Sequence, residues 1–151
     1  AGDAREVEAN WDALKRKERE GSEASILDGV PKRMPALSYA QTIQTRASRA
    51  GFDWEAFQGV LEKVAEELDE LKSARDDAAR ERELGDLLFS TVNAIRWLGT
   101  DAEGALRQSN ARFYERFVTM ERLCRERGLS FPDLSLDEKE ALWQEAKSLS
   151  T

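Results

Sequence analysis

The chain has 151 residues, 35% charged and 40% hydrophobic, with a net charge of −7. That length suffices for one domain with a real core, and the acidic balance argues against a nucleic-acid backbone or an anionic membrane as partner. One cysteine, Cys124, and no histidine at all exclude an internal disulfide framework, His-based zinc sites, Ser-His and Cys-His nucleophiles and Glu-x-x-His di-iron bundles.

Residues 3–20 read as a charged helix with Val7, Trp11 and Leu14 on one stripe. Two glycines and two prolines make residues 21–35 the linker-like stretch, so a linker is expected over 21–34 and the domain proper over 35–151. A helix from about Ala36 to Ala50 stops at Gly51. The next runs from about Trp54 to Ser73, with Phe57, Leu61, Val64, Leu68 and Leu71 at helical spacing. A short charged turn leads to a helix from about Ala79 to Leu98, ended by Gly99. "TDAE" (Thr100 to Glu103) reads as a capping box for a long helix that stops at Gly128, and "SLDE" (Ser135 to Glu138) caps the last helix, reaching about Leu149. No segment alternates with period two, so an all-α bundle of four to five main helices is expected. No apolar run approaches the roughly 20 residues of a membrane span. No stretch at the start reads as a secretory signal, and the lone cysteine fits a reducing compartment, so a cytoplasmic location is expected. "WDALK" and "WQEAK" share Trp-x-x-x-Lys, by coincidence or because the first helix is the tail of a preceding, related domain.

With 30 acids in the chain, a single acid-x-x-acid pair is ordinary, and only its context discriminates. On the helix containing "ELGDLLFSTVNAIRWLG", Leu84, Leu87, Leu88, Val92, Ile95 and Leu98 cover one half. Glu83, Asp86, Ser90, Asn93 and Trp97 fall on a stripe about 80° wide, which should face another helix or a cavity. On the preceding helix Glu67 and Glu70 repeat the same spacing beside Lys63, while Glu62, Glu66 and Asp69 project elsewhere; a plain solvated face is the alternative. Two such helices joined by a short turn would bring the four carboxylates together. They would repel and shift in pKa unless a divalent cation neutralised them. Without histidine that ion should be hard, Mg²⁺ or alternatively Mn²⁺. On the long helix Asn110 lies on the apolar face, where an amide needs a partner. Arg112 and Arg116 flank it, suited to phosphate oxygens or, as the alternative, to surface salt bridges. Trp143 is by default a core residue.

Glu66-Glu67-x-x-Glu70 followed by Glu83-x-x-Asp86 resembles the paired acidic motif of the MazG-type nucleoside triphosphate pyrophosphohydrolases. "GFDW", "ELGDLLFSTVN", "NARFYERF" and "LWQEAK" are similar to that family's flanking blocks, in the same order, over roughly residues 30–147. The resemblance implies a dimeric all-α architecture and Mg²⁺-dependent hydrolysis of (d)NTPs between the α and β phosphates, yielding the monophosphate and pyrophosphate, a house-cleaning activity. It makes Glu67, Glu70, Glu83 and Asp86 the metal ligands, places Lys63 and Arg116 on phosphates, and puts Trp143 near the nucleoside. Arg112 stands where the family pattern has Lys, and the turn between the acid pairs is short for the family. Glu66 or Glu67 would orient or deprotonate the attacking water. Asn93 and Asn110 complete the candidate substrate contacts. The alternatives are a narrow relative, dUTPase-like or acting on phosphoribosyl-ATP, and a non-catalytic Mg²⁺-binding dimerisation module. The amides and arginines beside the acids weigh against the last.

Overall fold

A computed structural model of the chain describes residues 4–19 and 24–150. Among the described residues there are six α-helices and no strand: α1 (Ala4–Arg19), α2 (Ala36–Arg49), α3 (Phe57–Ser73), α4 (Asp77–Trp97), α5 (Ala102–Glu126) and α6 (Leu136–Leu149), with one 3₁₀ turn at Phe131–Asp133. The all-α expectation is met. The ends of the expected first helix, at residues 3 and 20, lie outside the described residues, as does the start of the expected linker at 21–23.

Helix boundaries follow local side-chain chemistry. α4 starts earlier than its apolar periodicity suggests because Asp76 caps it, accepting the Ala79 N–H at 2.7 Å. α3 starts later, at Phe57 instead of Trp54. Asp53 takes the Trp54 N–H at 2.8 Å and the backbone is still extended at Ala56. α2 ends at the left-handed Gly51 (φ +94°), whose N–H reaches the Ser48 carbonyl while Phe52 N–H reaches that of Ala47. The Ser135–Glu138 capping box forms. α5 begins at Ala102, its first N–H held by Gln41 Oε1 at 2.7 Å, while Gln41 Nε2 donates to the Thr100 carbonyl at 2.9 Å.

The chain divides into two compact units after Glu103. In the first, α4 packs most extensively on α3 and next on α2. Its buried apolar residues are Val30, Val60, Val92 and Ala102, and they share the interior with Gln44, Glu67 and Ser90. The residues before α2 are not loose: Arg46 Nη1 donates to the carbonyls of Ile26 (3.1 Å) and Asp28 (2.8 Å). α1 is joined to α2 by Arg49, which pairs with Glu8 at 3.1 Å and Asp12 at 3.2 Å. Its Val7, Trp11 and Leu14 stripe is exposed. The second unit has a conventional apolar core of Met120, Leu123, Cys124, Leu142 and Ala146, flanked by Phe117, Phe131, Leu134 and Trp143.

The face that α4 buries differs from the one its apolar half suggests. Leu84, Leu88 and Leu98 are exposed, as are Leu61 and Leu68 of α3, whereas Ser90 is buried and Glu83, Asn93 and Trp97 are half-buried. The polar stripe is turned inward and much of the leucine surface outward. In such a small apolar interior each residue weighs heavily. Val60→Ala, at a side chain 1% exposed, should destabilise the protein by about 2 kcal/mol, read as a lower urea midpoint with an unchanged m-value.

Candidate functional site

The connection at residues 74–76 is three residues long and returns the chain so that α4 packs on α3. Residues one turn apart on one helix share a face, so Glu67 and Glu70 are presented together to Glu83 across that contact. One carboxylate oxygen from each of the three lies within 4.8 Å of the others. Glu67 is 4% exposed, and its counter-charge is Lys63, whose Nζ is 2.8 Å from Glu67 Oε1 and 3.5 Å from Glu66 Oε1. The hydrogen bond from Lys63 holds the Glu67 carboxyl below its ordinary value, and that same bond raises the lysine. Glu70 is pushed up to about 7, first by its hydrogen bond with Glu83 and then by the charge on Glu67. One lysine cannot satisfy three carboxylates: Glu67 Oε2 and Glu83 Oε2 are buried with no partner. Orphaned buried carboxylate oxygens, converging from two helices, suit a hard divalent cation, for which oxygen donors alone suffice.

Asp86 is exposed and outside this three-residue group, as is Glu66. Gly85 has open space beside it: a Cβ built there meets nothing within 4 Å.

Beyond Lys63 a cavity of about 590 Å³ opens, walled on its apolar side by Leu27, Ile43, Ala47, Phe52, Trp54, Val60 and Phe89. Its polar lining is Gln44, Asp53, Lys63, Ser90, Asn93 and Arg96. Trp54 lies flat enough against α3 that a Cβ at Gly59 would sit 2.9 Å from its ring, so glycine is the residue that admits it. The segment carrying Phe52 and Trp54 is tied to α4 through Asp53. Its Oδ1 accepts from Arg96 Nη2 (2.6 Å) and Trp97 Nε1 (3.1 Å), and its Oδ2 from Arg96 Nη1 (3.2 Å). Arg96 Nε donates in turn to Asn93 Oδ1 at 2.9 Å. Burial pushes the Asp53 carboxyl up, but the bonds from Arg96, the Trp54 N–H and Trp97 together bring it below its ordinary value.

Asp53, Arg96 and Gln44 were not singled out by sequence reasoning. A signal existed for the first two: an arginine inside the largely apolar stretch "NAIRWLG" requires a carboxylate partner once half-buried. Gln44 carries no comparable pattern.

In the second unit Trp143 is both core and platform. Its ring packs 5.6 Å from that of Phe113, and the Arg116 guanidinium lies 5.5 Å from its centroid. Arg116 Nε is buried without a partner, and Arg112 Nη2 donates to Ser109 Oγ at 3.0 Å. The described ion pairs of this unit are Arg122–Glu126 and Arg127–Glu145, so the salt-bridge alternative for Arg112 and Arg116 is not realised among them. Asn110 is exposed. The demand for an amide partner expected on an apolar helix face does not arise, because water reaches that position.

Fold and site define the chain as an all-helical protein with a carboxylate cluster of metal-ligand type beside a largely apolar cavity. By sequence it is similar to proteins named nucleoside triphosphate pyrophosphohydrolase. It is 42% identical over 153 residues to the nucleoside triphosphate pyrophosphohydrolase of Escherichia coli (strain K12), a match covering 97% of this chain and 58% of that protein. It is 43% identical over 137 residues to the nucleoside triphosphate pyrophosphohydrolase/pyrophosphatase MazG of Thermotoga maritima, covering 91% and 54%. A Bacillus subtilis protein, the uncharacterized protein YabN, is 42% identical over 149 residues, covering 96% and 30%. The chain thus spans about half the length of the first two relatives. No family model matches it.

The opposed shifts of Glu67 and Glu70 set a pH dependence. The folded chain holds the Glu70 proton more tightly than the unfolded chain, so this group's stabilisation is present below 4.5 and lost as pH rises through about 7. Glu67, shifted downward, contributes above 4.5 and stays constant across that window. In chelator, melting temperature should therefore fall between about pH 5 and about pH 8 more in the unsubstituted protein than in Glu70→Gln. Parallel pH profiles would contradict it.

Proposed function

We propose that the chain is a Mg²⁺-dependent nucleoside triphosphate pyrophosphohydrolase, hydrolysing (d)NTPs between the α and β phosphates to a nucleoside monophosphate and pyrophosphate. The observation that carries this reading is the position of Lys63. Its ammonium holds the carboxylate group at Glu67, and the same side chain lines the cavity. A triphosphate bound with its charge toward Lys63 and its nucleoside among Trp54, Phe52 and Phe89 would span both regions. The relatives' names point to the same reaction.

In this reading Glu67, Glu70, Glu83 and Asp86 hold Mg²⁺, with Mn²⁺ as substitute. When bound, the ion supplies charge neutralisation at the phosphates and lowers the pKa of coordinated water. The chain's own groups do the remainder. Lys63 offsets phosphate charge and Asn93 donates to the nucleotide. Of the two candidates for orienting the attacking water, Glu67 has one oxygen committed to Lys63 at 2.8 Å, whereas Glu66 is exposed and only loosely paired at 3.5 Å. Glu66 is therefore the freer to accept a proton. In the second unit Arg112, Arg116, Asn110 and Trp143 keep the substrate-binding roles implied by the resemblance, and the orphaned Arg116 Nε is a donor in want of an acceptor. Residues 35–151 constitute the catalytic domain, with α1 (Ala4–Arg19) as a charged extension and 21–34 as the linker. The protein acts as a homodimer, which supplies a cover for the leucines that α3 and α4 leave exposed. Among the described residues no helix is long and apolar enough to cross a membrane.

Glu83→Gln and Asp86→Asn should each lower pyrophosphate release by about 10²-fold or more, with an unchanged helical circular dichroism spectrum. Pyrophosphate release from the common nucleoside triphosphates in Mg²⁺ is the assay. Full activity in both variants would remove the site assignment, and no turnover by the unsubstituted protein would remove the function.

A further inference from the structure

The Asp53–Arg96–Asn93 chain of hydrogen bonds has a consequence for what the cavity can recognise. Arginine has donors only. The nitrogen atom of Asn93 therefore cannot be the one that faces Arg96 Nε, and the 2.9 Å contact fixes Oδ1 there. With its carbonyl held on Arg96 the amide's orientation is fixed, and the end turned away from the guanidinium is Nδ2, a pure donor. Arg96 is itself locked: its Nη1 and Nη2 both bond Asp53, at 3.2 and 2.6 Å, and its side chain is 14% exposed. Three faces of one guanidinium are used, two toward Asp53 and one toward Asn93. All three residues line the cavity.

Building on the nucleotide reading above, we propose that Asp53 and Arg96 are positioning residues that set the Asn93 amide so that it presents N–H, and not carbonyl, to a hydrogen-bond acceptor of the bound nucleotide. The acceptor is a phosphate oxygen or a carbonyl or ring nitrogen of the base. A ligand bearing a donor where the Nδ2 group points is disfavoured, since donor would meet donor there. Pinning the loop that carries Phe52 and Trp54 is a second effect of the same ion pair, and the two effects separate experimentally. A lysine at position 96 can still pair with Asp53. One ammonium, however, lacks the fork that serves Asp53 and Asn93 at once.

The test is titration of a non-hydrolysable nucleoside triphosphate analogue in Mg²⁺, followed by calorimetry, with thermal melts of every variant. Arg96→Lys should melt close to the unsubstituted protein yet bind about tenfold more weakly, the scale of one hydrogen bond to a charged or well-oriented partner. Asn93→Ala should lose a similar factor, and the double variant should lose no more than either alone. Asn93→Asp keeps an oxygen on Arg96 but turns an oxygen instead of an N–H toward the acceptor, so it should bind more weakly than Asn93→Ala. That comparison does not depend on altering Arg96 at all. Repeating the series with the unphosphorylated nucleoside identifies the acceptor: a loss that persists puts it on the nucleoside, a loss that vanishes puts it on phosphate. Unchanged affinity in Arg96→Lys, multiplicative losses in the double variant, or Asn93→Asp binding as well as Asn93→Ala each overturn the positioning role. Absence of analogue binding by the unsubstituted protein overturns the nucleotide reading, and this role with it.

Discussion

Three carboxylates with oxygens inside 4.8 Å of one another are the constraint from which the first unit's design follows. Such a group cannot be fully ionised at neutral pH without a counter-charge, and burying Glu67 makes its charge costly unless paired. Lys63 supplies one positive charge, a proton on Glu70 reduces the remaining repulsion, and two oxygens are still left unsatisfied. The contact between α3 and α4 is thus spent on polar chemistry. An interior used in this way has little room for apolar side chains, and those it has are small, three valines and an alanine.

The two units divide their labour in energetic terms. The second folds by ordinary hydrophobic burial, with Met120, Leu123, Cys124, Leu142 and Ala146 enclosed, Phe117, Phe131 and Trp143 packed against them, and Phe113 stacked on Phe117 and tilted against Trp143. The first holds Glu67, Ser90 and Gln44 inside and leaves leucines outside. Where polar groups occupy a helix–helix contact, apolar surface that would normally fill it must find another place.

This explains which parts of the molecule are legible in the amino-acid sequence. Helix existence is readable, because 3.6-residue periodicity and the glycines at 51, 99 and 128 are local signals. The convergence of Glu67, Glu70 and Glu83 is readable too, since it needs only equal spacing on two helices and a short turn. That most of the polar stripe of α4 turns inward is readable as well, as Ser90, Asn93, Glu83 and Trp97 show; that its leucines stay uncovered is not. An apolar half predicts that the half is covered, without saying by what, and here the chain's own neighbours cover the polar stripe instead. The start of α3 moves because Asp53 captures the Trp54 N–H and the Arg96 guanidinium, an interaction across 43 residues that no local pattern encodes. Asn110 illustrates the converse: helical spacing placed it with the phenylalanines, but exposure removes any need for a partner.

Lys63 carries one last consequence, because a single ammonium serves two places. It is the counter-ion of the acid group at 2.8 Å and part of the cavity wall. Whatever binds at the acids and replaces it as their counter-charge releases it toward the cavity. Whatever anion draws it into the cavity leaves the acids more avid for a cation. Were both places occupied through Lys63 in this way, the occupancies would be linked, and by thermodynamic reciprocity each would raise the affinity for the other by the same factor. Cooperativity between a cation and an anion would then require no change of shape, only the swing of one flexible side chain.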